Sequence, residues 1–178
     1  IEIQGSKGLS IKYASNVPLI INWNDYLKGN QTSDAFIDFV DFYATFEEIL
    51  GVEKSNPNAL SFLPLLKNQD YNEREVLTTF YNPMWGTRNL ERGVYAQNKT
   101  HKLYKNGNFY NYSVDLLEKN PIDINLMNDN LKEIYNLLND NLNKLPDLPP
   151  DNFNGWKERG KEVRSSNKFD RNWKLNLK

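Results

Sequence analysis

A chain of 178 residues with 39% hydrophobic, 25% charged and 13% aromatic residues is long enough to close a core and too apolar to stay disordered. Its formal net charge of -1, with no basic block, argues against nucleic acid as the main partner. No apolar run approaches the ~20 residues of a membrane helix. The absence of cysteine excludes disulfides, thiolate metal sites and a cysteine nucleophile, and the lone histidine, His101, cannot build a histidine metal cluster.

In chain order, Ile1-Glu2-Ile3-Gln4 reads as the interior of a strand–loop segment, as in a piece of a longer protein. Val17-Pro18-Leu19-Ile20-Ile21-Asn22-Trp23 is apolar on both alternations, which predicts a strand buried on both faces within a parallel sheet. After the polar turn 28–33, Ala35 to Phe39 suits a second strand. Asp41 to Leu50 reads as a helix with Gly51 as its C-terminal cap. Ser61-Phe62-Leu63-Pro64-Leu65-Leu66 predicts a short docking turn of helix.

From residue 75 onward the pattern changes to short β-prone runs at 75–81, 92–97 and 101–104, and the Asn106-Gly107 turn leads into 108–112. They predict a four-stranded antiparallel meander. Met127, Leu131, Ile134, Leu138 and Leu142 then mark one helix stripe, placed to cover a face of that sheet. Pro146 to Pro150 ends regular structure, and 146–178 reads as an extended polar tail anchored by Trp156 and Trp173. The expected fold class is therefore α/β. The late part of a mixed sheet domain (1–60) is followed by a small antiparallel sheet with a C-terminal helix (61–145), then the tail.

Several residues could carry chemistry. Lys7 lies between glycines in Gly5-Ser6-Lys7-Gly8, where a tight backbone could bring its ammonium to a sulfate or phosphate oxygen. By residue type alone it reads better as a solvated loop charge. Asp38 and Asp41 read better as caps of the following helix than as a metal or acid–base pair. His101 reads as a surface residue of a hairpin strand. In the loop Tyr81 to Gly86, Trp85 with nearby Arg88 suits stacking on a sugar ring or pairing with an anion, and core packing of Trp85 fits as well. Three N-x-S/T triplets begin at Asn30, Asn98 and Asn111, in an Asn-rich chain where such triplets arise by chance.

The order of these segments resembles the C-terminal portion of the type I sulfatases, the arylsulfatase-like branch of the alkaline phosphatase superfamily. Gly5-Ser6-Lys7-Gly8-Leu9-Ser10 followed by Val17-Pro18-Leu19-Ile20 is similar to the family's G-x-K-G-x-T/S … V-P-x-I segment. Asp38 to Phe46 with Gly51 resembles its D-x-x-P-T-L … G helix start, with Ala44 where the family has proline. Ser61 to Leu66 resembles its S-x-x-P-L-L turn. Lys102-Leu103-Tyr104, Phe109-Tyr110-Asn111 and Asp115 to Pro121 resemble its closing meander, in the same order. Lys12, Ala14 and Asn16 depart from the acid, glycine and Arg or His that the family often carries there.

The resemblance implies a sulfuric ester hydrolase in which Lys7 contacts the substrate sulfate. The loop bearing Trp85 and Arg88 would lie on the substrate side. It also implies calcium and a formylglycine, both held upstream of this segment, so the segment by itself would be inactive. A periplasmic or secreted location follows from the same resemblance, as does a small-molecule or glycan sulfate ester as substrate. The alternatives are a phosphodiester or phosphonate hydrolase of the same superfamily and a non-catalytic glycan-binding module.

Overall fold

The computed structural model describes residues 9–82 and 92–148. Two short helical segments and one full helix come first: α1 (Lys12–Ser15), α2 (Asp41–Leu50) and α3 (Leu63–Leu66). Strands β1 (Leu77–Tyr81), β2 (Gly93–Gln97), β3 (His101–Tyr104) and β4 (Phe109–Asn111) follow, then a 3-10 turn at Ile124–Leu126 and α4 (Asp129–Leu142). The strands form one antiparallel sheet in the order β1-β2-β3-β4, as the sequence predicts.

Strand alternation divides the sheet into two unlike faces. Val94, Ala96, Leu103 and Phe109 point to one side and pack with Leu138 and Leu142 of α4. Met127, Leu131 and Ile134 border that core, so every member of the predicted helix stripe lies against the sheet. The Asn128 side chain accepts from Leu131 N–H at 2.9 Å and caps α4. Tyr95, Lys102, Tyr104 and Tyr110 point to the opposite side, with Tyr95 paired to Tyr104 and Lys102 to Tyr110 across the strands.

The turns are built by short polar side chains. Asn106-Gly107 closes the β3–β4 hairpin, with Gly107 at φ 93, a conformation glycine adopts without steric cost. Two of the three N-x-S/T asparagines do structural work. Asn98 Oδ1 accepts from the backbone N–H groups of Thr100 and His101, and Asn111 Oδ1 accepts from Ser113 N–H.

Helix α2 ends where Gly51 turns left-handed at φ 67 and Val52 N–H reaches back to Glu47 O at 3.0 Å. It begins on Asp41, whose Oδ2 accepts from Asp38 N–H at 2.8 Å. The other carboxylate oxygen accepts from Leu60 N–H at 2.7 Å and from the Arg74 guanidinium. Asp41 is fully buried, so the capping role expected for it also locks α2 to the chain around residues 58–74. Thr45 extends the lock by accepting from Phe62 N–H, beside the edge-to-face pair of Phe42 and Phe62.

Two expected strands are absent. Residues 35–39 form none because their donors go to side chains: Ala35 N–H to Ser33 Oγ, Phe36 N–H to Glu73, and Phe39 N–H to Asp38 Oδ1. Residues 17–23 form none because a strand buried on both faces needs partners on both edges. Among the described residues all strand pairing is confined to β1–β4. His101 is the third correction. It is 6% exposed, not a surface residue, because its strand face is the one closed by α4, and its ring stacks on Phe109 with centroids 5.3 Å apart.

Candidate functional site

Lys7, Trp85 and Arg88, the residues the sequence singles out, lie outside the described residues, as do Trp156 and Trp173. The structure does describe the residues that follow Lys7, from residue 9, and both ends of the segment that bears Trp85 and Arg88.

Ser10, three residues after Lys7, is buried against the tyrosine face of the sheet. Its carbonyl accepts from Lys102 Nζ at 2.5 Å, and the same ammonium donates to Glu118 Oε1 at 2.7 Å. Tyr104 Oη donates to the other oxygen of Glu118. Lys102 is wholly buried, and its Nζ lies 4.6 Å from the Tyr95 ring centroid, 5.5 Å from Tyr104 and 5.6 Å from Tyr112. A carboxylate, a carbonyl and three aromatic faces thus replace the water that a lysine loses on burial.

Neighbouring groups complete this side. Lys12 Nζ sits 5.4 Å over the outer part of the cluster, on the Tyr112 ring. Burial, then the negative charge of Glu118, pushes the Tyr112 hydroxyl up to about 12, so it stays protonated and donates to the Asn98 carbonyl. Ser10 packs directly over Gly93, where an added Cβ would meet Ser10 Oγ at 3.4 Å, an ordinary contact distance. Glu118 itself sits at φ 52, a left-handed backbone that aims its carboxylate at Lys102.

In this cluster the cation and the carboxylate satisfy each other, and both side chains are buried. It is a latch that ties residues 10–12 to β2, β3 and the 112–118 loop. The latch residues were not singled out by sequence. The available signal was a lysine and three tyrosines alternating with Leu103, Phe109 and their neighbours, a strand pattern whose second face is aromatic and not solvated.

The loop bearing Trp85 and Arg88 connects β1 to β2. Its described ends are joined, with Arg92 Nε donating to Asn82 Oδ1 at 2.9 Å and Tyr81 paired to Gly93. A cleft of about 160 Å³ opens at the start of β2, between Arg92, Tyr104 and Lys105. Lys105 is engaged there by Asp147 at 3.0 Å and by the Leu145 carbonyl, which fastens the start of the 146–178 segment to the sheet.

Among the described residues, no three His, Asp or Glu side chains come together to hold a metal ion. No helix among them is long and apolar enough to cross a membrane. No family model matches this chain, and no curated protein sequence matches it.

Proposed function

We propose that this chain is the C-terminal portion of a sulfuric ester hydrolase, in which Lys7 contacts the sulfate group of the substrate. The observation that carries the reading is the union of two distant stretches of the sulfatase-like pattern. Ser10 belongs to the first and Lys102, Tyr104 and Glu118 to the last, and they meet in one buried cluster. The anchored residue, Ser10, follows Lys7 by three positions in the chain.

In this reading the Lys7 ammonium neutralises a non-bridging sulfate oxygen and holds it while negative charge redistributes during S–O cleavage. Glycines on both sides admit the ester closely. Arg88 and Trp85 supply a guanidinium and an indole, side-chain types that suit the aryl or sugar ring of the ester's alcohol part. The chain has no cysteine from which formylglycine could form, and its described carboxylates do not assemble a calcium site. Those groups belong, in this reading, to the polypeptide upstream, and no step here is routed through them.

The test is kinetic. In the intact enzyme, Lys7→Ala lowers kcat/KM for an aryl sulfate about 10²-fold or more, the typical cost of one preorganised electrostatic contact, and leaves Tm unchanged. Unchanged kinetics overturns the role of Lys7. A preference for phosphodiester or phosphonate esters over sulfate esters moves the protein to the other branch of the superfamily. Loss of hydrolysis altogether with retained glycan binding makes it a binding module.

A further inference from the structure

Residues 21–29 form a turn around Trp23. Tyr26 N–H donates to the Trp23 carbonyl at 3.3 Å and Leu27 N–H to the same oxygen at 3.1 Å, while Asp25 reverses the chain at a left-handed φ of 68. The turn stacks Tyr26 on Trp23, with ring centroids 4.6 Å apart and planes 22° from parallel. A cleft of about 340 Å³ opens here, lined by Asn22, Trp23, Asn24, Asp25 and Lys28 among others. That volume falls within the ~300–1,000 Å³ of small-molecule sites. Tyr26 does not line the cleft; it is 70% exposed and steadies the indole by stacking on it.

The polar groups around the indole are unspent. Asn22, Asn24, Asp25 and Lys28 are exposed, and among the described residues none of their side chains makes a hydrogen bond or ion pair. Lys28 is engaged through its carbonyl alone, which accepts from Gln31 Nε2 at 2.9 Å. Each ligand class makes a different demand on such a cleft. An anion needs uncompensated cations, and here one carboxylate accompanies one ammonium. A nucleotide needs the same for its phosphate. An apolar ligand needs an enclosing apolar wall, and this cleft is rimmed by amides and charges. A pyranose asks for what is present. Its C–H face needs an aromatic ring, and its hydroxyls need donors and acceptors together, which amides, a carboxylate and an ammonium supply.

We propose that the turn 21–29 is a carbohydrate-binding cleft. Trp23, backed by Tyr26, stacks on one pyranose ring of a glycan, and Asn22, Asn24, Asp25 and Lys28 hold the hydroxyls of that ring. The proposal does not rest on the sulfatase reading, because a glycan that is hydrolysed and a glycan that is merely held both need such a contact.

The test is isothermal titration of the intact protein with three probes: cellohexaose, chitohexaose and a chondroitin sulfate hexasaccharide. At least one binds. Trp23→Ala weakens that binding about tenfold or more, the usual loss when a tryptophan anchor is truncated, and Trp23→Phe, which keeps a ring, loses less. Asp25→Gly keeps the turn, because glycine adopts φ 68 without steric cost, and so leaves Tm undiminished. It weakens binding about two- to tenfold, the net worth of one hydrogen bond. Tyr43→Ala, on an exposed ring of α2, leaves binding unchanged. A preference for the sulfated probe supports the cleft as a contact for the ester substrate, and equal binding of neutral probes supports it as a general glycan contact. Glycan binding without sulfate ester hydrolysis supports the cleft and counts against the sulfatase reading alone. Binding of none of the three, binding that survives Trp23→Ala, or tighter binding of adenosine monophosphate than of any sugar overturns the proposal.

Discussion

At the scale of single residues, the structure places its highest stakes on Lys102. A buried ion pair contributes little by comparison with an apolar replacement, but breaking one partner is expensive because the other charge is left in a dry site. Lys102→Ala is expected to cost about 3–5 kcal/mol, measured by chemical denaturation, and Lys102→Ala with Glu118→Gln is expected to recover part of that loss. Equal losses in the single and double variants would show that the packing of the lysine stem, not the charge, carries the effect. His101 sets a pH dependence of opposite origin. Burial lowers its pKa from the usual 6.5, and its Nε2 has no hydrogen-bond partner among the described residues, so the folded ring is neutral. The unfolded chain takes up the proton first as pH falls below 6.5. Stability is therefore fully present above that pH and declines as pH drops towards the lowered folded value, at a slope of at most about 1.4 kcal/mol per unit. His101→Gln should flatten the Tm profile between pH 7 and 5.5.

At the scale of elements, local chemistry and side-chain periodicity agree wherever an element is completed by the chain itself. Helix α4 was legible because Met127, Leu131, Ile134, Leu138 and Leu142 repeat at helical spacing and their sheet lies in the same chain. Leu138 is fully buried between α4 and the sheet, so Leu138→Ala should destabilise by about 2–5 kcal/mol with loss of sheet and helix together. Gly51 was legible as a helix stop for a backbone reason, and its φ of 67 confirms it. Gly51→Ala should cost about 1–2 kcal/mol from the left-handed strain alone, because nothing lies near enough for its new Cβ to clash. The segment 35–39 was not legible as a loop. Its β-prone residues are overruled by Ser33, Asp38 and Glu73, whose oxygens take the donors a strand would need.

At the scale of the whole molecule, the described chain has one well-closed unit, the sheet with α4 on one face and the latch on the other, and one apolar stretch that closes nothing. These differ in local stability, and proteolysis reads the difference. Trypsin should cut after the exposed Lys28 well before it cuts after the fully buried Lys102. Early cleavage after Lys102 would mean that the latch opens readily.

Sequence by itself determined the antiparallel sheet, its Asn106-Gly107 turn, α4 and both ends of α2, because each of these is specified by contacts or dihedrals within a few residues or by a repeated stripe. It also brought out Lys7, Trp85 and Arg88 as candidates from their residue types and neighbours, and an ordered resemblance then singled out Lys7 among them. Only the tertiary structure decided that His101 is interior, that Lys102 and Glu118 form a buried pair, and that Ser10 joins them. Burial of a polar group depends on partners 16 and 92 positions away in the chain, and no local pattern encodes which of them will arrive. The same physics explains residues 17–23: the sequence describes a strand buried on both faces, and whether it is one depends on neighbours that the described residues do not contain.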